Sequence, residues 1–360
     1  MIFLLYFFVI CCVYSLLYQS ILLCKLSIHQ HKKTQPTHIN TPVSIVICAK
    51  NEQENLDKNL PFILSQKYAH FEVIIVDDGS DIPLIYEHPD VKIIPLTKAE
   101  KIGLGKKYAL QKGVAAAQYT WVLLTDADCR PLSNQWIASM MACANAQTQI
   151  VLGISPYYKE NTFLNALIEY ETAQTALQYI GFALLQQPYM SVGRNVLYNT
   201  ALLKSKNWTT KELSVTSGDD DLAIQTLATS TNTNVCLAME SYTISEAKKN
   251  WREWISQKTR HYKSGNMYRL TDRLILGSYL ISKAGIYLSF LLLNIFCISK
   301  YNLYVFITYI LLNTTIQFIV SKKIKILFRW HYAFLTDFLY TFFTLLLGTS
   351  SSFRKTTTWK

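Results

Sequence analysis

The 360-residue sequence is short of charge: Asp, Glu, Lys and Arg make up 16% of it, against about 25% in ordinary soluble domains. Half of the residues are hydrophobic, and they gather at the two ends of the chain while charges populate the middle. That distribution excludes a uniformly soluble domain. Positive charge is missing before the first apolar run, where a cleaved signal peptide would carry it. The glycine-rich phosphate motifs are missing too. No G-x-G-x-x-G follows the first expected strand, and Gly103-Leu104-Gly105-Lys106-Lys107 lacks the first Gly and the Ser/Thr of a P-loop. The eight cysteines show no paired C-x-x-C spacing. Cys11, Cys12, Cys24 and Cys297 lie in or beside apolar runs, which suits reduced, structural thiols. His29, His31 and His38 lie in a polar linker without companion ligands, so no zinc site is expected there. Nucleic-acid motifs are absent as well. The formal charge of +11 comes largely from basic residues beside apolar segments, where membrane lipids with anionic head groups are the natural partners.

What is present begins with a membrane signal. Ile2 to Leu26 form a nearly uncharged run, and about 20 apolar residues suffice to cross a bilayer as helix. Lys25, Lys32 and Lys33 follow it. This asymmetry predicts an anchor over 1–27 with its N-terminus outside, a juxtamembrane linker over 28–42, and a cytoplasmic domain after it. Beyond Arg273 come three further candidate spans within 274–349: Leu274–Ile298, Leu303–Val320 and Tyr332–Leu347. The connector between the last two carries Lys322, Lys323, Lys325 and Arg329 and is expected inside. Three full crossings would leave Arg354, Lys355 and Lys360 of the basic tail (350–360) outside, against the positive-inside tendency. One segment, first of all the third and shortest, is then re-entrant or interfacial. Lys283 and Asp337 stand out as ionisable groups inside these runs.

Between the apolar ends, β-rich runs alternate with helical stretches. Val43–Ala49, Phe71–Asp77, Val91–Leu96 and Trp121–Thr125 read as strands covered on both faces; Asn55–Ser65 and Lys106–Ala117 read as helices. The alternation predicts an α/β, doubly wound, mostly parallel sheet, whose ligand crevice lies at the carboxyl ends of the strands. Three strands end in polar residues there: the first in Lys50-Asn51-Glu52, the second in Asp77-Asp78-Gly79-Ser80, the fourth in Asp126-Ala127-Asp128. Any one alone would pass for a turn or helix cap. Three at equivalent places mark an acidic edge.

Two Asp separated by one residue can share a hard divalent cation whose remaining positions are taken by phosphate oxygens. Such a cation neutralises the charge that a departing diphosphate develops. Downstream, Asp219, Asp220 and Asp221 open a further helix. One carboxylate would satisfy the helix dipole; three repel one another, couple their titrations, and supply a general base for an acceptor hydroxyl. Lys106 and Lys107, at a helix start, are placed to meet phosphate or an acidic partner. Over 249–273, Gln257 and Arg260 share one helical face, and the guanidinium suits a diphosphate. The same helix reads as a basic amphipathic element on anionic lipid. Both faces are expected to be in use.

In this order and spacing the motifs resemble the membrane-integrated family 2 glycosyltransferases with the GT-A fold, related to cellulose and hyaluronan synthases and to carotenoid and hopanoid glycosyl enzymes. The resemblance runs from Val43 to about Lys263 and implies a catalytic domain over 43–248. Ile47 to Glu52 is similar to the family's P-x-x-N-E opening, Val76 to Ser80 to its V-D-D-G-S element, Gly105 to Leu110 to its G-K-x-x-A-L segment, and Gly193-Arg194-Asn195 to its G-x-N element. Gly218 to Asp221 is similar to its G/T-E-D pattern, with Asp219 at the Glu and Asp220 at the catalytic base. Gln257 to His261 resembles Q-x-x-R-W with His261 in place of Trp, a departure that removes a mark of processive synthases.

By this resemblance the reaction is an inverting single displacement from a nucleotide-diphosphate sugar, a UDP-sugar first of all. Asp220, with Asp219, would take the acceptor proton. Asp128 and Asp126 would hold Mg²⁺ or Mn²⁺, Arg260 and Gln257 would steady the leaving group, and Asp77 and Asp78 would fix the nucleoside. Asn51, Glu52, Lys106, Lys107, Asn195 and His261 complete the expected substrate contacts. With about four membrane segments there is little material for a polymer channel. The expected acceptor is therefore lipid-linked or hydrophobic, reached at the cytoplasmic face of the inner membrane. A processive synthase of a secreted polysaccharide is the alternative, and a catalytically silent sugar-nucleotide-binding membrane protein a more distant one.

Overall fold

The computed structural model describes residues 2–29, 41–97, 99–296, 299–326 and 328–351. Most of the expected linker, with His31, His38, Lys32 and Lys33, the residue Cys297, and the basic residues of the tail fall outside these.

Among the described residues nine strands form: β1 (Val43–Ala49), β2 (Phe71–Asp77), β3 (Val91–Pro95), β4 (Trp121–Asp126), β5 (Cys129–Pro131), β6 (Ile150–Leu152), β7 (Val196–Asn199), β8 (Thr233–Val235) and β9 (Thr243–Ser245). Seven make one sheet in the order β3-β2-β1-β4-β7-β6-β8, and β5 pairs with β9 in a separate ribbon. β1 runs parallel to both β2 and β4, and β2 parallel to β3. Every residue of β1 is buried, as a strand sandwiched between helical layers must be. One side of the sheet packs Val46, Ile74 and Val122 under Leu110 and Val114; the other packs Ile45, Val73 and Leu123 under Leu56, Leu60 and Trp136. The sheet is mostly parallel as expected, with one reversal: β7 runs antiparallel between β4 and β6.

Register decides what the strand ends hold. Cys48 of β1 sits beside Asp126, and Ala49 sits beside Asp77, so two acidic strand ends flank β1 at one edge. Helices Gln53–Leu64 and Lys107–Ala116 cover the crossovers close to where their patterns placed them. A third helix, Phe163–Leu184, capped by the Thr162 hydroxyl, connects the sheet domain to the apolar helices. A methyl group on its Gly181 would come 2.9 Å from Leu22 Cβ, and Phe182 meets Tyr18 with ring centroids 5.9 Å apart.

Among the described residues four helices, Ile2–Ile28, Leu270–Phe296, Lys300–Lys323 and Trp330–Ser350, are long and apolar enough to cross a membrane. The first three pack on one another through stacked Phe290 and Phe306 (3.8 Å), Tyr18 on Tyr279 (4.1 Å) and a polar rung in which Gln19 donates to Asn313 at 2.8 Å. Lys283 and Asp337 form a fully buried ion pair, and the hydroxyls of Tyr170 and Tyr287 also donate to Asp337. The pairing removes the cost that either charge would carry alone among apolar helices.

Candidate active site

A cavity of about 260 Å³ opens at the carboxyl edge of the sheet. Strand ends supply Lys50, Glu52, Asp126 and Asp128; the turn before helix Asp221–Leu227 supplies Asp219 and Asp220; helix Trp251–Gly265 supplies Gln257, Lys258, Arg260 and His261. Lys106 ties two of these groups together. Its ammonium reaches Asp126 at 2.7 Å and Asp219 at 3.1 Å. Burial works against its charge, but the carboxylates of Asp126 and Asp219 outweigh that and hold it well above the ordinary lysine range.

Asp220 is held by two backbone donors. The backbone N–H of Gly193 donates to its Oδ2 at 2.6 Å and that of Asp221 to its Oδ1 at 2.9 Å. Burial and the neighbouring Asp219 nevertheless raise its pKa from 3.8 to about 6. Burial is the dominant cause, as expected for a carboxylate taken out of water. Asp221 points elsewhere, accepting from the Tyr268 hydroxyl at 2.6 Å, and serves the packing between its helix and the chain entering Leu270–Phe296.

Asp126, Asp128 and Cys129 each present a ligand atom within 4.8 Å of one another. Cys129 fits a metal poorly. Its buried thiol donates to Asp128 Oδ1 at 3.3 Å, and burial first, then the two aspartates, keep it protonated. The remaining pair of carboxylates suits a hard divalent cation that completes its shell with phosphate oxygens and water.

Several residues singled out in the sequence lie off the cavity wall. Asn51, at a positive φ of 54°, takes its backbone N–H to Ser80 Oγ (2.8 Å) and its side chain to Asp81; it fastens the β1 turn to the β2 turn. Both oxygens of Asp77 accept from backbone N–H groups, Ser80 at 2.9 Å and Leu84 at 3.1 Å. Lys101 grips Asp78 through one oxygen, while Asp78 Oδ1 is buried with no hydrogen-bond partner. Lys107 is wholly buried and donates to the carbonyls of Val215 (2.8 Å) and Ser217 (2.6 Å), so it holds the loop that presents Asp219 and Asp220. Asn195, also fully buried, accepts from Trp136 Nε1 and donates to the carbonyls of Ile154 and Ser241. Its neighbours Gly193 and Arg194 line the cavity instead.

Arg194 was not singled out, and neither was Lys258. The Arg194 guanidinium stacks over Tyr157 at 4.2 Å and donates to Ser245 Oγ and Ser155 O. Lys258 pairs with Glu171 at 2.9 Å across the cavity. The available signal was the basic character of the loop and helix, but partners at least 37 residues away are invisible to local spacing. His261 lines the cavity and is itself exposed.

An acidic pair at a strand end, a second acidic cluster facing it, and a basic helix closing the gap now stand together. Residues 44–208 match the family model for glycosyl transferase family 2. That stretch, 165 of the 360 residues, is therefore similar to the family 2 glycosyl transferases. Over 92 residues the chain is 34% identical to a poly-beta-1,6-N-acetyl-D-glucosamine synthase of Staphylococcus epidermidis, and 33% identical to that of Staphylococcus aureus strain COL. These alignments take in 24% of this chain and 21% of the relative, about a fifth of its length. The fold is that of the mannosyltransferase PcManGT from Pyrobaculum calidifontis, solved in complex with GDP-Man and Mn²⁺. The TM-score is 0.58 at 14% identity, over 88% of this chain and 97% of that one. The cavity lies at the carboxyl edge of this sheet.

Proposed function

We propose that the chain is a membrane glycosyltransferase that moves a sugar from a nucleotide-diphosphate donor to an acceptor hydroxyl by direct, inverting displacement. What carries this reading is one cavity shared by Asp126, Asp128, Asp219, Asp220 and Arg260. Asp220, with a pKa of about 6, is ionised at neutral pH yet basic enough to accept a proton from the attacking hydroxyl as the bond to the sugar forms. Arg260, with Gln257 beside it on the same helix, faces the place where the diphosphate departs. Asp126 and Asp128 would hold Mg²⁺ or Mn²⁺, which supplies charge neutralisation to the leaving diphosphate when bound. Lys106, already between Asp126 and Asp219, has the reach to follow phosphate.

The donor to try first is a UDP-sugar, since the curated relatives are named for a polymer of N-acetylglucosamine; GDP-mannose is the second, after the structural relative. The acceptor is lipid-linked or otherwise hydrophobic, met at the cytoplasmic face of the cell membrane by a domain over 43–248. The relatives' names favour a second reading, a polysaccharide synthase. Purified protein in lipid, given radiolabelled sugar nucleotide and Mg²⁺ or Mn²⁺, tests both. A short lipid-soluble product supports the first and a long polymer the second. No incorporation from any sugar nucleotide would sink both.

A further inference from the structure

We infer that Glu171 is a positioning residue. Its two contacts with helix Trp251–Gly265 set how that helix is turned and so aim Arg260 and Gln257 into the cavity, a role that rests on the reaction proposed above. Glu171 belongs to helix Phe163–Leu184, is 5% exposed and lines the cavity. Both of its oxygens are spent on the other helix. Oε1 pairs with the Lys258 ammonium at 2.9 Å, and Oε2 accepts from Trp254 Nε1 at 3.3 Å. Trp254 and Lys258 are four residues apart and so occupy successive turns of one face. A carboxylate that touches two turns of one face resists both rotation of the helix about its axis and sliding along it.

Glu171 can act as a brace because its own helix is held in place. The two side chains before it grip other neighbours: Tyr170 donates to Asp337, and Glu169 pairs with Arg329 at 3.5 Å. Asp337 is in turn paired with Lys283. Helix Trp251–Gly265 is fastened at two further places. Trp254 packs among Leu164, Leu167 and Ile168 and meets Phe343 at 5.4 Å, and the Ser217 hydroxyl donates to the Arg260 carbonyl at 2.5 Å. Apolar packing is non-directional, and a single bond to a backbone carbonyl is a pivot. The ion pair and the indole bond supply the direction.

Small rotations matter here. Side-chain tips lie about 6 Å from a helix axis, so a turn of about 20° moves the Arg260 guanidinium by about 2 Å. That exceeds what a bidentate hold on phosphate tolerates, and a misplacement of about 1 Å at a catalytic group already costs about 10²-fold in rate. A buried ion pair adds little stability over apolar side chains of the same shape. The contribution of Glu171 and Lys258 therefore lies in placement.

Glu171→Gln combined with Lys258→Met removes the brace and leaves the net charge of the cavity unchanged. Full-length protein in detergent with Mn²⁺ is titrated by calorimetry with UDP and UMP, and with GDP and GMP, because only the diphosphates carry the second phosphate that Arg260 would hold. The double variant should bind the diphosphate about tenfold more weakly and the monophosphate within about twofold of wild type. Backbone amides of 257–261 should exchange with solvent at least about tenfold faster, with those of β1 and β4 unchanged. Trp254→Phe removes only the indole bond and keeps a ring against Phe343. It should show both changes to a smaller degree, and it carries the test if the double variant does not fold. A folded variant with wild-type diphosphate affinity or wild-type exchange overturns the assignment, and so does an equal loss for diphosphate and monophosphate. Wild-type protein that binds no nucleoside diphosphate counts against the proposed reaction; exchange at 257–261 then decides by itself whether Glu171 sets the helix.

Discussion

Replacing Asp220 with Asn separates catalysis from stability in opposite directions. In the folded chain the carboxyl titrates near 6 rather than 3.8, a displacement of about two units, or about 3 kcal/mol of penalty on the charged form. The group favours folding in its protonated state. Its contribution is therefore fullest at low pH and is lost as pH rises from about 4 through about 6. Asn removes the penalty, but its NH₂ cannot accept one of the two backbone N–H groups, from Gly193 or Asp221, which costs about 1–3 kcal/mol. The net effect at pH 7.5 is between neutral and about 2 kcal/mol more stable. Sugar transfer, however, loses its base, and kcat should fall by about 10²–10⁴. Thermal unfolding in lipid or detergent at pH 5 and pH 7.5, alongside initial rates across the same range, reads both. Wild-type kcat should rise with pH through about 6 and level off, and the residual rate of the variant should lack that inflexion. A variant with near wild-type kcat refutes the role of Asp220. One that is clearly less stable at pH 7.5 than at pH 5, relative to wild type, refutes the electrostatic argument.

Asp128→Asn should weaken Mn²⁺ binding at least tenfold, measured by calorimetry or by the paramagnetic signal of bound Mn²⁺, with transfer falling in step; unchanged affinity would place the cation elsewhere. Gly105→Ala should fail to fold or lose more than about 2 kcal/mol, since φ is +75° and the new Cβ would lie 2.2 Å from the Thr216 carbonyl oxygen. Wild-type thermal stability would contradict that close approach. Lys283→Met alone should cost about 3–5 kcal/mol by stranding the buried Asp337, while Lys283→Met with Asp337→Leu should recover much of it. Equal losses in the two chains would mean the pair is not coupled.

The four parallel strands were legible because their signal is local. β1 and β2 are short apolar runs that end in polar turns, and the two crossover helices carry an ordinary amphipathic pattern. The reversed strand β7 was not legible, since strand direction is set by which neighbour it pairs with, and Val196–Asn199 carries no mark of that. The acidic motifs were legible as residue types at strand ends. Whether each reaches the cavity was not: Asp126 and Asp220 line it, whereas Asp77, Lys107 and Asn195 spend their hydrogen bonds holding turns and loops.

By itself the amino-acid order determined that apolar ends flank an α/β domain and that carboxylates collect where its strands stop, because burial periodicity and strand-end chemistry are properties of neighbours along the chain. Only the tertiary structure decided that Lys106 bridges Asp126 to Asp219 and that Arg194 and Lys258 join the wall. It also decided that the final apolar helix rests on helices 163–184 and 251–265. These are contacts between segments far apart in sequence, chosen by the packing of the whole molecule.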